Sequence, residues 1–218
     1  MGEHILPFVL AMAKSGFGRV LIATSNPGKF KEMMEVLGSL PFEFLSLADV
    51  GLVGDAPEDA DTFEGNALLK ARYYFERAGM VTIAEDSGII VDALEGELGI
   101  KTRRWGAGEK ASDEEWVEYF LRRMATVPEG ERGAKFVCCS VIIDADGDEH
   151  LFRGETVGTI TSQLEAPIYG GLPLSSCFKP DGFTKVYSAL SIEEKNRVSH
   201  RGKAMRQVKA CLDGLKFV

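Results

Sequence analysis

Two adjacent carboxylates, Glu85 and Asp86, follow the apolar run Val81-Thr82-Ile83-Ala84 and precede Ser87-Gly88. A short β-branched run closed by Ser-Gly predicts a buried strand ending in a turn. Neighbouring strand residues point to opposite faces, so one acid is placed to hold a metal while the other handles water. Ordinary strand-end acids in solvent fit this stretch equally well. A second candidate is the polar loop Thr24-Ser25-Asn26-Pro27-Gly28-Lys29, between the apolar residues 20–23 and an amphipathic helical pattern over 30–37. Strand, loop and helix in that order favour an anion, because the amides at a helix start are free. The loop is not a P-loop: Ala23 stands where the first glycine belongs, and Phe30 follows Lys29 where Ser or Thr would ligate magnesium. A capped helix start with proline in its first turn explains the same residues. Two cationic sets complete the chemistry. Asn66 and Lys70 lie four apart and share a helix face, and Lys195, Ser199, His200 and Arg201 together suit a phosphate and a base edge.

The elements that must position these groups follow from the pattern of the chain. A second strand is expected at 42–45, then an acidic Gly- and Pro-containing loop over 51–61 that carries Glu58. Thr62 opens a helix through about Ala78, with Phe63, Ala67, Leu68, Ala71 and Phe75 on one face and Gly79 as its stop. After the Glu85-Asp86 strand come a separate short strand at 89–91, a Gly-rich turn at 96–99 and the cationic run Lys101-Thr102-Arg103-Arg104-Trp105. A helix over 112–124, capped by Ser112 or Asp113, offers Trp116, Phe120 and Leu121 to the core. Residues 134–143 and 149–160 read as an antiparallel hairpin across Asp144-Ala145-Asp146-Gly147-Asp148. That acidic turn echoes the start of a calcium loop but lacks the distal bidentate glutamate, so it is read as a turn. A loop rich in Gly, Pro and Ser covers 167–180, and a capping box of Ser191 and Glu194 opens the last helical block.

Composition narrows the function classes. At 218 residues and 45% hydrophobic content, the chain can bury a full core. A formal charge of -8 argues against a surface that coats nucleic acid, though not against a small anionic ligand in a local basic pocket. No apolar run is long enough to span a membrane. Cys138, Cys139, Cys177 and Cys211 lack metal-ligand spacing, so free thiols in a reducing, cytoplasmic compartment are expected. Residues 1–17 contain an apolar stretch and the cleavage-like Ala11-Met12-Ala13, but Gly2-Glu3-His4 lacks the positive flank of a signal peptide. They are read as an N-terminal extension that need not be ordered, ahead of a single two-lobed domain over 18–218.

Thr24-Ser25-Asn26-Pro27-Gly28-Lys29, Thr62-Phe63-Glu64-Gly65-Asn66-Ala67, Ala84-Glu85-Asp86-Ser87-Gly88 and Val198-Ser199-His200-Arg201-Gly202, taken in this order, resemble the inosine triphosphate pyrophosphatase family. The resemblance runs from about Arg19 to the end of the chain. It implies an α/β fold with a long central mixed β-sheet, helices on both sides and two lobes around a nucleotide cleft, in a homodimer. It implies Mg²⁺-dependent hydrolysis of non-canonical purine nucleoside triphosphates (ITP, dITP, XTP) to the monophosphate and pyrophosphate, cleansing the nucleotide pool. Carried over by position, Thr24, Ser25, Asn26 and Lys29 resemble triphosphate contacts and Lys70 a further phosphate-side cation. Glu58, Glu85 and Asp86 resemble metal-side acids, with Asp86 also the general base. Ser87, Arg104, Tyr169, Gly170, Lys195, His200 and Arg201 resemble the remaining nucleotide contacts, Arg201 facing the base. The partners implied are a small nucleoside triphosphate and a second copy of the chain, with neither nucleic acid nor membrane.

The sequence departs from the family on the base side. The usual Gly-Phe-Gly-Tyr-Asp-Pro segment appears as Ile168-Tyr169-Gly170-Gly171-Leu172-Pro173. Tyr169 can still stack on a base, but Leu172 replaces the aspartate, which leaves Arg201 without an expected charged partner. Leu98 for proline and Thr102 for serine are milder changes. Retained pyrophosphatase activity with altered or relaxed preference among ITP, dITP and XTP is the expectation. A nucleotide-binding regulatory protein with weak or no catalysis, and a pyrophosphatase for another modified nucleotide, are the competing readings.

Overall fold

The computed structural model describes residues 18–108 and 110–214, apart from the side chains of Arg103 and Arg104; the expected extension over 1–17 lies outside the described residues. A six-stranded mixed sheet forms the centre: β1 (Gly18–Ala23), β2 (Phe42–Ser46), β3 (Thr82–Val91), β4 (Gly133–Ile143), β5 (Glu149–Ile160) and β6 (Phe178–Pro180). Its order is β2-β1-β3-β4-β5-β6. β1 runs parallel to β2 and β3, and every later pairing is antiparallel. Among the described residues five α-helices accompany it: α1 (Pro27–Leu37), α2 (Phe63–Ala78), α3 (Asp113–Met124), α4 (Ile192–Val198) and α5 (His200–Gly214).

Strand alternation assigns the faces. Leu21, Ala23, Ala84, Val137, Cys139 and Val141 pack with Phe63, Ala67, Ala71 and Tyr74 of α2. Val20, Ile22, Ile83, Cys138 and Ile142 face the other way, onto Met33 and Leu37 of α1 and onto Ala204, Met205 and Val208 of α5. A third cluster gathers Trp116, Val117 and Phe120 of α3 with Ile89, Leu174, Phe178 and Tyr187. Helices therefore cover both faces of the mixed sheet, as the sequence predicts.

The helix ends are chemically marked. Thr62 caps α2 by accepting from the Gly65 amide at 3.0 Å, and Gly79 closes it in the left-handed region at φ 61°. Ser112 with Glu115, and Ser191 with Glu194, form capping boxes at α3 and α4. α1 begins at Pro27, earlier than the pattern over 30–37 suggests, because Asn26 caps it and proline occupies its first position.

Two expectations are corrected. Ser87-Gly88 is not a turn: β3 runs unbroken for ten residues, every one in register with β4. Gly88 serves close approach instead, since a Cβ there would lie 2.3 Å from the Gly99 carbonyl oxygen. The loop over 167–180 also holds more structure than its composition indicates, because 178–180 form β6 along β5. The acidic turn behaves as read: Asp144 Oδ1 accepts from the amides of Asp146 and Asp148 at 3.0 and 2.9 Å. Cys138 and Cys139 point to opposite faces, and all four cysteines are free thiols. Among the described residues no helix is long and apolar enough to cross a membrane.

Candidate active site

A cleft of about 520 Å³ opens where β1, β3 and the helix starts meet, within the size range of small-molecule sites. Its walls bring together residues far apart in sequence, from Thr24 to Arg201. The alternation of β3 divides the two acids. Asp86 takes the face of Ala84, toward α2 and the cleft, while Glu85 takes the face of Ile83, toward α1 and α5.

At the cationic end, Thr24, Ser25, Asn26 and Lys29 line the cleft. The Asn26 side chain is committed on both sides. Its Oδ1 accepts from the Lys29 amide at 3.0 Å, and its Nδ2 donates to the Gly171 carbonyl at 3.1 Å. Lys29 Nζ lies 2.7 Å from Glu85 Oε1. Across the cleft, Lys70 pairs with Glu58 at 2.5 Å and donates to the Glu85 carbonyl oxygen at 3.1 Å. Asn66 bridges the acidic loop to the strand, with its Oδ1 accepting from the Ala60 amide at 3.0 Å and its Nδ2 donating to Asp86 Oδ2 at 3.3 Å.

Electrostatics separate the two acids further. Burial pushes the Asp86 carboxyl above the ordinary aspartate range, against the opposing pull of Lys70 and Lys29. That makes it a stronger base than a free carboxylate. Burial acts on Glu85 too, but Arg201 and Lys29 outweigh it and hold its carboxyl well below the usual range. Cys138 Sγ donates to Glu85 Oε2 at 3.0 Å, and burial keeps that thiol protonated by pushing its pKa well up.

Glu85, a metal-side acid by resemblance, meets cations in this structure. It is 1% exposed, with Lys29 beside Oε1 and with Arg201 and Cys138 both donating to Oε2. The expectation for Arg201 is corrected. Leu172 does not orphan it, because its guanidinium pairs with Glu32, donates to Glu85 Oε2 at 3.3 Å and donates to Ser87 Oγ at 2.8 Å. Glu32 also pairs with Lys195. This glutamate, one helical turn beyond Lys29, escaped the sequence reading; its only signal was a lone acid on the buried face of an amphipathic helix.

The other end is aromatic. Trp116, Phe136, Tyr187 and His200 line it with Leu172 and Leu174. Phe136 stacks on His200 with centroids 4.7 Å apart and an interplanar angle of 13°. Burial and the neighbouring Arg201 keep the imidazole neutral. The Tyr169 ring lies 4.9 Å from Nζ of the cleft-lining Lys195 and 5.4 Å from Lys31 Nζ. Gly170 abuts the first loop, where a Cβ on Gly28 would lie 2.7 Å from its carbonyl oxygen. Arg104 ends a 3-10 helix over Gly99–Arg104, and its side chain lies outside the described residues. Phe136 and Tyr187 carried no sequence signal, since a strand aromatic and a loop aromatic read as core.

With this geometry in hand, comparison with known proteins is decisive. The model of the Ham1 family matches residues 20–211. The chain belongs to the Ham1 family. Within it, the dITP/XTP pyrophosphatase of Symbiobacterium thermophilum is 42% identical over 202 residues, covering 90% of this chain and 94% of that protein. A dITP/XTP pyrophosphatase of Thermus thermophilus is 41% identical over 189 residues, covering 86% and 88%. Among solved structures, the Ham1 protein of Staphylococcus aureus matches with a TM-score of 0.76 at 30% identity, over 91% of this chain and 100% of that one. The Ham1 protein of Coxiella burnetii gives 0.77 at 27%, over the same shares. In this Ham1 chain Lys29, Glu58, Lys70 and Asp86 line one cleft together with Leu172, which a Cβ on Gly28 would meet at 3.3 Å.

Proposed function

We propose that this Ham1 cleft hydrolyses non-canonical purine nucleoside triphosphates, dITP, ITP and XTP, to the monophosphate and pyrophosphate, and so cleanses the nucleotide pool. The observation that carries the reading is Asp86: a cleft-facing carboxylate flanked by Lys29, Lys70 and Glu58 and aligned by Asn66. Water adds to the α-phosphorus, its proton passes to Asp86, and the bond from that phosphorus to the bridging oxygen breaks to release pyrophosphate. Lys29, Lys70 and Lys195 meet the phosphate charge. The loop amides ahead of α1 add donors to the same end. At the aromatic end, Phe136, Tyr187 and His200 give the purine an apolar, stacking surface.

The donor set fits magnesium. Among the described residues no three of His, Cys, Asp and Glu converge as a metal cage, whereas Glu58 and Asp86 both face the cleft. One or two carboxylates completed by substrate oxygens and water is the usual magnesium arrangement. Glu58 and Asp86 would hold the ion, which supplies charge neutralisation on the phosphates when bound. Glu85 acts behind them, fixing Lys29 and Arg201. The relatives named for dITP and XTP support purine substrates, and Leu172 supports a preference among ITP, dITP and XTP that is broader than in a site with an acid at that position. A homodimer in the cytoplasm completes the reading.

The test is pyrophosphate release with Mg²⁺ across ITP, dITP, XTP, dUTP, GTP and ATP. The expected result is turnover of the first three, with Asp86→Asn slower by about 10²–10⁴-fold. Near-normal turnover by Asp86→Asn removes the base assignment. Absence of pyrophosphate from every nucleotide leaves a binding protein instead.

A further inference from the structure

Asp113, the first residue of α3, stands outside all four sequence motifs, yet its Oδ2 accepts from the Gly171 amide at 2.6 Å across 58 positions of chain. The carbonyl of the same glycine accepts from Asn26 Nδ2 at 3.1 Å, and Asn26 Oδ1 accepts from the Lys29 amide at 3.0 Å. Gly171 is therefore held from both sides, by α3 and by the loop that precedes α1. Only glycine permits this. Its φ is +78°, and a Cβ would lie 2.6 Å from Asn26 Oδ1. Leu172 follows directly and lines the cleft. Trp116, one helical turn after Asp113 on the same face of α3, lines it too, and its buried indole Nε1–H has no protein acceptor.

We propose that Asp113 is a positioning residue for base selection. By fixing Gly171 it sets the Leu172 wall against the base and keeps Asn26, with the Lys29 amide, in register with the triphosphate. A base that fits leaves the relay from Asp113 to Lys29 intact. A base that pushes the 170–172 loop outward draws Asn26 away from α1, so discrimination appears in turnover as well as in binding. The inference rests on the nucleoside triphosphate reading of the cleft.

The experiment measures kcat and KM for dITP and dATP with Mg²⁺ in the full chain and in Asp113→Ala, Asp113→Asn and Gly171→Ala. Losing a charge-assisted hydrogen bond is expected to lower the dITP-to-dATP ratio of kcat/KM by roughly tenfold, mainly through kcat on dITP. Asp113→Asn keeps an acceptor oxygen in place and is expected to restore most of the ratio, while Gly171→Ala reproduces the loss. A ratio unchanged in Asp113→Ala, or equal losses on both nucleotides, overturns the proposal. If Asp113→Ala does not fold, Gly171→Ala set against Asp113→Asn decides on the same criterion. A wild-type chain that releases no pyrophosphate from dITP removes the underlying reading; an active one whose variants keep the ratio removes only the role of Asp113.

Discussion

Glu85 and Asp86 share a sequence neighbourhood and almost nothing else. Asp86 is a buried carboxylate whose charge is penalised, whereas Glu85 is a buried carboxylate whose charge is demanded by Arg201 and Lys29. Their linkage to pH has opposite signs. Glu85 has a folded pKa well below 4.5, so its stabilisation is fully present above that value and is lost as pH falls toward the folded pKa. Asp86 has a folded pKa above 3.8, so ionising it costs stability and that cost disappears on acidification. Glu85→Gln removes the counter-charge of half-buried Lys29 and one of the two that buried Arg201 has, and is expected to cost about 3 kcal/mol. Urea unfolding at pH 7 checks the magnitude, and repeating it at and below pH 4 checks the sign, because the unfolded chain's glutamate binds a proton there while Glu85 in the fold stays ionised, so the gap between wild type and variant narrows. A gap constant across that range would mean that Glu85 contributes packing and not charge.

At the scale of elements, the site depends on how closely the backbone of β3 is approached. Thr102 Oγ1 accepts from the Ile89 amide at 3.0 Å and donates to the Gly99 carbonyl at 2.6 Å, locking the Gly99–Arg104 turn against the strand. That turn fits because Gly88 has no side chain. Gly88→Ala would set a Cβ 2.3 Å from a backbone oxygen and 3.0 Å from Phe63 of α2, and neither neighbour can retreat without moving its element. A loss of about 1–3 kcal/mol is expected, read as a lower urea midpoint at unchanged slope. A fall in kcat/KM should accompany it, since Gly88 lines the cleft beside Asp86. A similar approach joins β5 to α5: a Cβ on Gly154 would lie 2.1 Å from the His200 carbonyl oxygen. The histidine and arginine of the last motif reach the cleft because that strand position is bare.

Across the whole molecule, the cleft gathers widely separated stretches of chain, so a bound nucleotide should clamp them together. A non-hydrolysable dITP analogue with Mg²⁺ at 100 times its Kd is expected to stabilise the fold by about 2.7 kcal/mol, measured as an upward shift in the thermal midpoint; EDTA should remove most of that shift. No shift at saturating analogue would argue against the cleft as the nucleotide site. The sequence by itself determined the local and repetitive features: the strand–loop–helix order around Thr24 to Lys29, the helix start at Thr62, the capping box at Ser191, the β4–β5 hairpin and the opposite faces of Glu85 and Asp86. Each depends on residues within a few positions of one another, where propensity, capping and alternation act directly. The rest was decided by tertiary structure. Glu32 against Arg201, Asp113 against Gly171, Tyr169 beneath Lys195 and the unbroken run of β3 through Gly88 all join residues far apart in sequence, and nothing local records which charge a buried charge will meet. The sequence could therefore pick out Glu85 and Asp86 as the acids that matter, while only the packing of α1 and α5 on one face, and α2 on the other, decided that one of them faces the cleft and its neighbour anchors the cations behind it.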